Sequence, residues 1–380
     1  MDFNFTEDQE SLRDAVRRWV DKGYGFERRK AIVKAGGFSR EAWGELASLG
    51  LMGLYVCAEQ GGMDFGPVDA MVVCEELGRG LVLEPYAQGA LIAVSLLQTG
   101  QADAPQNAWL AKIIAGEAVV VLAHQERAAR YKLNHVGTSA AQANGAWSVS
   151  GSKSVVPVGD QADAYIVPAR VAGKADDPDG IALFLVERQA SGVSTRGYPT
   201  QDGGRAAEVS FDNSPALLLV DGAGGHAALE HAVDVGIAAL AAEAVGVMDK
   251  LFAVTVDYLN TRKQFGVAIG TFQALRHRTA DVKMQLELAR SMSYYASLKL
   301  GEPAPQRRRA LSQAKVQLGT SMRYVGQQCI QMHGGIGVTD EYIAGHYFKR
   351  LTCIEMSFGD TLHHLGEVSA RMQDTAGVFA

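Results

Sequence analysis

Residues 233–262 read VDVGIAALAAEAVGVMDKLFAVTVDYLNTR, and the reading of this stretch decides how the remainder of the chain is understood. Val233, Ile237, Leu240, Ala244, Val247, Leu251, Val254 and Tyr258 recur at alternating steps of four and three. That is the period of a helix buried along one stripe. A second stripe, Gly236, Ala239, Glu243 and Gly246, has almost no side chain apart from the glutamate. Small residues let a flat or bulky group approach a helix backbone. A carboxylate on such a face is short of water, which favours its protonated form and suits a general base lying under a ligand. The competing expectation is structural: Glu243 pairs with an Arg or Lys from another helix.

The 380 residues allow two or three domains. A hydrophobic fraction of 47% with 21% charge is that of a globular protein. The net charge of −6 and the lack of a basic block argue against a nucleic-acid partner. No apolar run reaches membrane-spanning length free of charges or glycines. The acidic start MDFNFTEDQE has no basic region of a secretory leader, and the scattered Cys57, Cys74, Cys329 and Cys353 read as reduced thiols. A cytoplasmic location and no metal site are the expectations. Motifs of the HExxH, P-loop, GxSxG and GxGxxG types are absent.

Outward from the opening helix, the chain reads as α+β in three parts. Residues 1–118 are helical, beginning with a Thr6–Gln9 capping box and a second N-cap at Ser39. Residues 119–222 form a β domain. AVVVLAH, WSVSGSKSVV, AYIVPAR, IALFLVE and AEVSFDN are short, β-branched and separated by turn residues, which argues for a compact antiparallel sheet or small barrel. Residues 223–380 are helical again. Phe272–Leu298 is a second long helix, GEPAPQRRR a polar linker, and Ala310–Met332 a third helix.

Three constellations could carry chemistry. YLNTRKQFGVAIGTFQ (258–273) sets Arg262 at a helix end, then a Gly-containing loop and Gln273. Arg262 suits a phosphate, or simply the helix macrodipole. QMHGGIG (331–337) offers backbone N–H groups and close approach at its glycines, or an ordinary Gly-rich helix end. FGDTLHH (358–364) reads as an Asp360 N-cap, and adjacent His363 and His364 point to different faces, so they do not chelate one ion.

Taken together, these residues resemble the acyl-CoA dehydrogenase family. The resemblance runs from FTEDQ (5–9) through the β domain to RKQFGVAIGTFQ (262–273) and QMHGGIGVTDEY (331–342). It implies an N-terminal helical domain, a middle β domain and a C-terminal four-helix bundle, with FAD as cofactor. It also implies removal of two hydrogens from Cα and Cβ of an acyl-CoA thioester. A carboxylate takes the Cα proton, the Cβ hydride goes to the flavin, and electrons pass to electron-transfer flavoprotein. Arg262 and Gln273 would reach the FAD of a neighbouring subunit. Gln331, Met332, His333, Gly334 and Gly335 would line its adenosine and pyrophosphate part.

Two departures from the family pattern shape the functional expectation. Where many members carry their catalytic glutamate near the C-terminus, this chain has Phe358 in SFGD. Where others carry it on the opening helix, this chain has Gly236, and Glu243 lies two turns further on the same face. Glu243 is therefore the expected base. In the β domain, LAHQERAARY (122–131) and Val155–Pro157 replace the family's flavin-contacting segments, so part of the flavin site would come from another chain. The expected oligomer is a homotetramer or an α2β2 assembly with a larger homologous subunit. The expected substrate is a CoA thioester with a longer or dicarboxylic chain, for which Arg205 and Arg276 are the cations to consider. A different class of role is a non-catalytic partner that completes the FAD site of a larger chain. An acyl-CoA oxidase is disfavoured by the length.

Overall fold

The computed structural model describes residues 5–99 and 104–372. The first four residues of the acidic start lie outside these. Helices α1 (Glu7–Gly23), α2 (Phe26–Lys34), α3 (Arg40–Ser48), α4 (Pro67–Arg79), α5 (Ala93–Leu97) and α6 (Ala104–Ile114) come first. Seven strands follow: β1 (Val120–Leu122), β2 (Ser139–Ala143), β3 (Ala146–Pro157), β4 (Ala164–Arg170), β5 (Ile181–Glu187), β6 (Val193–Pro199) and β7 (Arg205–Val220). The chain ends in α7 (Gly225–Thr261), the hairpin β8–β9 (Lys263–Gln264, Val267–Ala268), α8 (Gln273–Lys299), α9 (Ala304–His333), α10 (Ile343–Met356) and α11 (Thr361–Met372). The α+β reading holds. No helix among the described residues is long and apolar enough to cross a membrane.

By contact density the chain divides into two compact units. The first contains residues 1–30, 67–82 and 237–380, and the second residues 31–66 and 83–236. In the second unit the sheet order is β1-β4-β2-β3-β7-β5, with β5 returning to β4 and β6 added on β7. The path closes on itself, as a small barrel does, and so leaves few bare edges. The expectation of an antiparallel sheet needs one correction. Short β1 runs parallel to β4, Val120 opposite Ala164, and β2 touches β4 in parallel at Ser139. β2 and β6 were not separable by pattern, because most of their residues are exposed and neither alternates apolar with polar.

In the first unit, α1 opens with the expected capping box. Gln9 N donates to Thr6 Oγ1 at 3.2 Å, and Thr6 N to Gln9 Oε1 at 3.1 Å. The polar linker expected over residues 301–309 is mostly helix, since α9 already starts at Ala304. Pro305 falls in its first turn, where a missing N–H costs nothing.

Helix α7 is not the two-faced helix its stripes suggest. Ala232–Ala242 and Ala244–Met248 are buried without interruption, so every side of this stretch is covered. Such a helix is central to its surroundings rather than a surface element. Its 37 residues span ~55 Å at 1.5 Å per residue.

Candidate functional site

The small-residue stripe of α7 meets a helix. A Cβ added at Gly246 would collide with the carbonyl of Glu75, and one added at Gly78 with the carbonyl of Glu243. Helices α4 and α7 thus cross backbone on backbone, each glycine receiving the other helix. This part of the stripe is a helix crossing, not a wall open to a flat ligand.

Glu243 sits at that crossing with a partner. Arg350 of α10 donates from Nε to Oε1 at 2.6 Å and from Nη2 to Oε2 at 2.8 Å. The two side chains are 14% and 29% exposed, so the pair is half-dry. Of the two expectations for Glu243, the geometry displays the ion pair: the carboxylate has exchanged water for a guanidinium in fork-to-fork contact. Beside it, burial and then the charge of Glu243 push the Cys74 thiol well up. Sequence reasoning missed Arg350, whose one signal was its place at helical spacing beside Tyr347, Leu351 and Ile354. Around this point Arg17 binds Glu76, Arg79 binds Asp249, and Arg290 binds both Glu75 and Asp249. The network ties α1, α4, α7 and α8 together.

The other two motifs converge. Tyr258, one turn before Arg262, stacks on His333 with ring centroids 4.7 Å apart, and the Tyr342 ring lies against both, 5.2 Å from His333 and 6.4 Å from Tyr258. Arg262 stands at the foot of the β8–β9 hairpin, where Ile269 N returns to its carbonyl at 2.8 Å. Phe265 and Gly266 form the tip, both at positive φ, which makes a two-residue primed turn. Phe265 is 90% exposed. The guanidinium of Arg262 and the amide of Gln273 are exposed, and neither side chain has a hydrogen bond or ion pair among the described residues. Gln273 opens α8, whose N-cap Phe272 supplies no side-chain bond, so the first N–H groups of a long helix stay available.

At the end of α9 the expected residues part company. Gln331, Gly334 and Gly335 are exposed, while Met332 and His333 turn inward. Met332 accepts from Thr279 Oγ1 at 3.7 Å, so its side chain serves packing. A Cβ at Gly334 or Gly335 would meet nothing within 4 Å, and Gly334 has φ +64. Gly337 instead packs against Ile330 and the His333 side chain. His333 Nδ1 donates to Cys329 O at 2.8 Å, which makes Nε2 an acceptor, and that buried atom has no partner. Burial holds this imidazole below its usual pKa, and so neutral. An unpaired guanidinium, open glycine backbone and an orphaned acceptor fit a ligand with phosphates and hydroxyl donors. FAD is such a group.

The remaining candidates are occupied. Arg205 Nη2 lies 2.5 Å from Asp160, and Arg276 Nε donates to Gly270 O at 2.9 Å. Asp360 is the N-cap of α11, its Oδ1 accepting from His363 N at 2.8 Å. Both ring nitrogens of His364 are used, on Ser312 Oγ at 3.3 Å and Phe358 O at 3.0 Å. Phe358 itself adopts φ +57 and Gly359 φ +108, a left-handed turn.

Comparison with known proteins gives this frame its class: an FAD-dependent oxidoreductase acting on acyl-CoA. The chain belongs to the acyl-CoA dehydrogenase family, whose N-terminal, middle and C-terminal domain models match residues 6–117, 122–214 and 222–373. It is 29% identical to the short-chain specific acyl-CoA dehydrogenase of Megasphaera elsdenii, over 92% of this chain and 94% of that one. Among solved structures it is similar to the Tcur3481-Tcur3483 steroid ACAD, with 28% identity, TM-score 0.87, and 98% and 99% of the two chains covered. It is also similar to a chain in the structure of the electron transferring flavoprotein of Acidaminococcus fermentans, with 26% identity, TM-score 0.89, and the same coverage.

Proposed function

We propose that this chain is one subunit of a cytoplasmic acyl-CoA dehydrogenase that introduces a Cα–Cβ double bond into an acyl-CoA thioester, with Glu243 as base and electron-transfer flavoprotein as acceptor. The observation that carries the reading is the Tyr258–His333 stack, which brings two motifs some seventy residues apart to one place. There Arg262, Gln273, Gln331, Gly334, Gly335 and the orphaned His333 Nε2 would hold the adenosine and phosphate part of FAD. When bound, FAD supplies the hydride acceptor. The chain's own contribution is to bind and orient the thioester and to take the Cα proton. The domain limits are 1–118, 119–222 and 223–380. The electron acceptor is supported by the similarity to a chain in the Acidaminococcus fermentans structure. The segments GRGLVLEPY, YPTQDGGRAAE and GHYFKRLT resemble the small subunit of bacterial pimeloyl-CoA dehydrogenase, which supports a dicarboxylic acyl chain and an α2β2 assembly with a larger homologous subunit. The Tcur3481-Tcur3483 steroid ACAD, whose name joins two components, supports a heteromer as well.

The Glu243–Arg350 pair favours a second reading. To act as a base, Glu243 must take a proton while Arg350 holds its charged form through two charge-assisted hydrogen bonds, each worth ~1.5–3 kcal/mol. A chain whose first candidate base is held this way suits a partner that completes the FAD site of a catalytic subunit. One experiment separates the two. The chain is expressed alone and with a larger homologous subunit, and flavin bleaching by acyl-CoA and dicarboxyl-CoA is recorded for wild type and Glu243→Gln. A loss of ~10²–10⁴-fold in the bleaching rate assigns the base. Unchanged bleaching by a folded variant removes Glu243 from the chemistry: in the complex with the larger subunit it leaves the partner role, and in the chain alone it rules that role out and makes Asp360 the next candidate base.

A further inference from the structure

Glu243 differs from the other carboxylates of its network in how it is held. Glu76 lies against three arginines, Arg17 at 2.6 Å, Arg79 at 3.4 Å and Arg13 at 3.9 Å. Asp249 lies between Arg79 and Arg290. Either acid keeps a cation when one partner leaves. Among the described residues Glu243 has a single cation, Arg350, in a two-bond fork of 2.6 and 2.8 Å. Moving that guanidinium alone changes the state of the carboxylate.

The mount of Arg350 is fixed. Helix α10 is pinned near its start, in its middle and at its end. His346 Nε2 donates to Asp340 O at 3.0 Å, which leaves Nδ1 to accept from Nη1 of the buried Arg29 at 3.4 Å. Tyr347 is buried, and its hydroxyl donates to Arg79 O at 2.8 Å. Lys315, 3% exposed, donates to the last carbonyls of the helix, Ile354 O at 2.9 Å and Glu355 O at 2.8 Å. On this rigid backbone the Arg350 side chain is 29% exposed. An incoming anion can reach the guanidinium while the helix that carries it stays in place.

What can take the guanidinium from Glu243 follows from its chemistry. A second carboxylate offers the same bidentate fork, so the exchange is close to neutral. A methyl-ended acyl chain offers nothing in return for two charge-assisted hydrogen bonds. A carboxylate left at a dry helix crossing without its cation takes up a proton more readily. The swap therefore converts an ion pair into a base only when the right substrate arrives. The two cations that the sequence offered for a distal carboxylate are already engaged, Arg205 by Asp160 and Arg276 by Gly270 O.

We propose that Arg350 is the specificity-determining residue of this chain. It exchanges Glu243 for the distal carboxylate of a dicarboxyl-CoA and so releases Glu243 to take the Cα proton. The distal carboxylate stays ionised on Arg350, so the step needs no second proton donor. The swing of one arginine sets the distance between the two ends, which favours a diacid of moderate length over a long one. The proposal rests on the reading of Glu243 as the base.

The test uses the FAD-loaded protein, alone or with the larger subunit where loading requires it. Chemistry is read as flavin bleaching by pimelyl-CoA and by heptanoyl-CoA, which differ only in the terminal carboxylate. Binding is read by calorimetry with two CoA thioethers of equal length, one ending in a carboxylate and one in a methyl group. A thioether lacks the carbonyl that acidifies the Cα proton, so it binds without reacting. Wild type is expected to bleach at least ~10-fold faster with pimelyl-CoA. Glu243→Gln leaves Arg350 facing an amide, and is expected to bind the carboxylate thioether ~10-fold more tightly than wild type. A pair with a purely structural role gives no such gain. Adding Arg350→Met to Glu243→Gln removes both charges together, so no carboxylate is stranded and the fold is kept. That double variant is expected to bind the two thioethers alike. Equal bleaching of wild type by the two substrates overturns the exchange. So does a Glu243→Gln protein that binds the carboxylate thioether no better than wild type, or a double variant that still prefers it. In each of these cases a Glu243→Gln protein that fails to bleach leaves the base reading standing. A Glu243→Gln protein that bleaches at the wild-type rate overturns the base reading, and the exchange with it.

Discussion

Replacing Arg350 by methionine asks what the Glu243 pair is for. The substitution keeps the length of the side chain and removes its charge. It leaves the Glu243 carboxylate at the α4–α7 crossing, 14% exposed, without the two hydrogen bonds of 2.6 and 2.8 Å. Stranding one partner of a fully buried pair costs ~3–5 kcal/mol. Here the guanidinium is 29% exposed, so water can reach the abandoned carboxylate. The expected loss is the lower figure discounted, ~2–3 kcal/mol. Glu243→Gln should cost less, ~1–2 kcal/mol, because an amide keeps an acceptor for Arg350. Combining Glu243→Gln with Arg350→Met removes the desolvated charge on both sides and should return stability to within ~1 kcal/mol of wild type. The assay is urea unfolding of all four proteins at fixed FAD concentration, analysed as a double-mutant cycle. Contacting residues that share one pair show coupling of ~0.5–3 kcal/mol, and this cycle should fall in the upper half of that range. Coupling below ~0.5 kcal/mol would refute the view that the pair ties α7 to α10.

Two further outcomes follow from the packing and from a buried histidine. Gly246→Ala forces its new methyl group into the Glu75 carbonyl, so it should cost at least ~1–3 kcal/mol. Gly335→Ala, in open space, should stay within ~0.5 kcal/mol, and a pair of melts compares them. His364 is lowered from 6.5 to about 3, by burial first and then by Lys315 and His363. Its folded pKa is depressed, so the unfolded chain binds the extra proton more readily between these values. The stability it supports is complete above pH 6.5 and is lost as pH falls toward 3. Denaturation midpoints from pH 7 to pH 4 should show that decline, and His364→Gln, which keeps a donor for Phe358 O, should flatten it.

Much of the architecture was legible because it rests on local rules. The Thr6–Gln9 box, the Ser39 and Asp360 caps and the long buried run of α7 need only nearest neighbours or a 3.6-residue period. The strands that alternate or are wholly apolar, such as β4 and β5, were legible for the same reason. β2 and β6 were not: their burial is low and their pairing comes from β3 and β7. The start of α9 was masked by Pro303 and Pro305, which read as a linker but suit a first turn.

By itself, the amino-acid sequence determined the three-part α+β order, because that follows from periodicity and from residue types at short range, and its motifs carried the resemblance to the family. Only the tertiary structure decided what each candidate side chain faces. It turned Met332 and His333 inward and left Gly334 and Gly335 open. It set α4 against the small-residue stripe of α7, and it brought Arg350 to Glu243 across 107 positions of chain. The physical reason is that a helix pattern records that a face is buried, whereas the identity of the group covering it depends on crossings between distant elements. For Glu243 that distinction separates a carboxylate lying under a ligand from one held by an arginine.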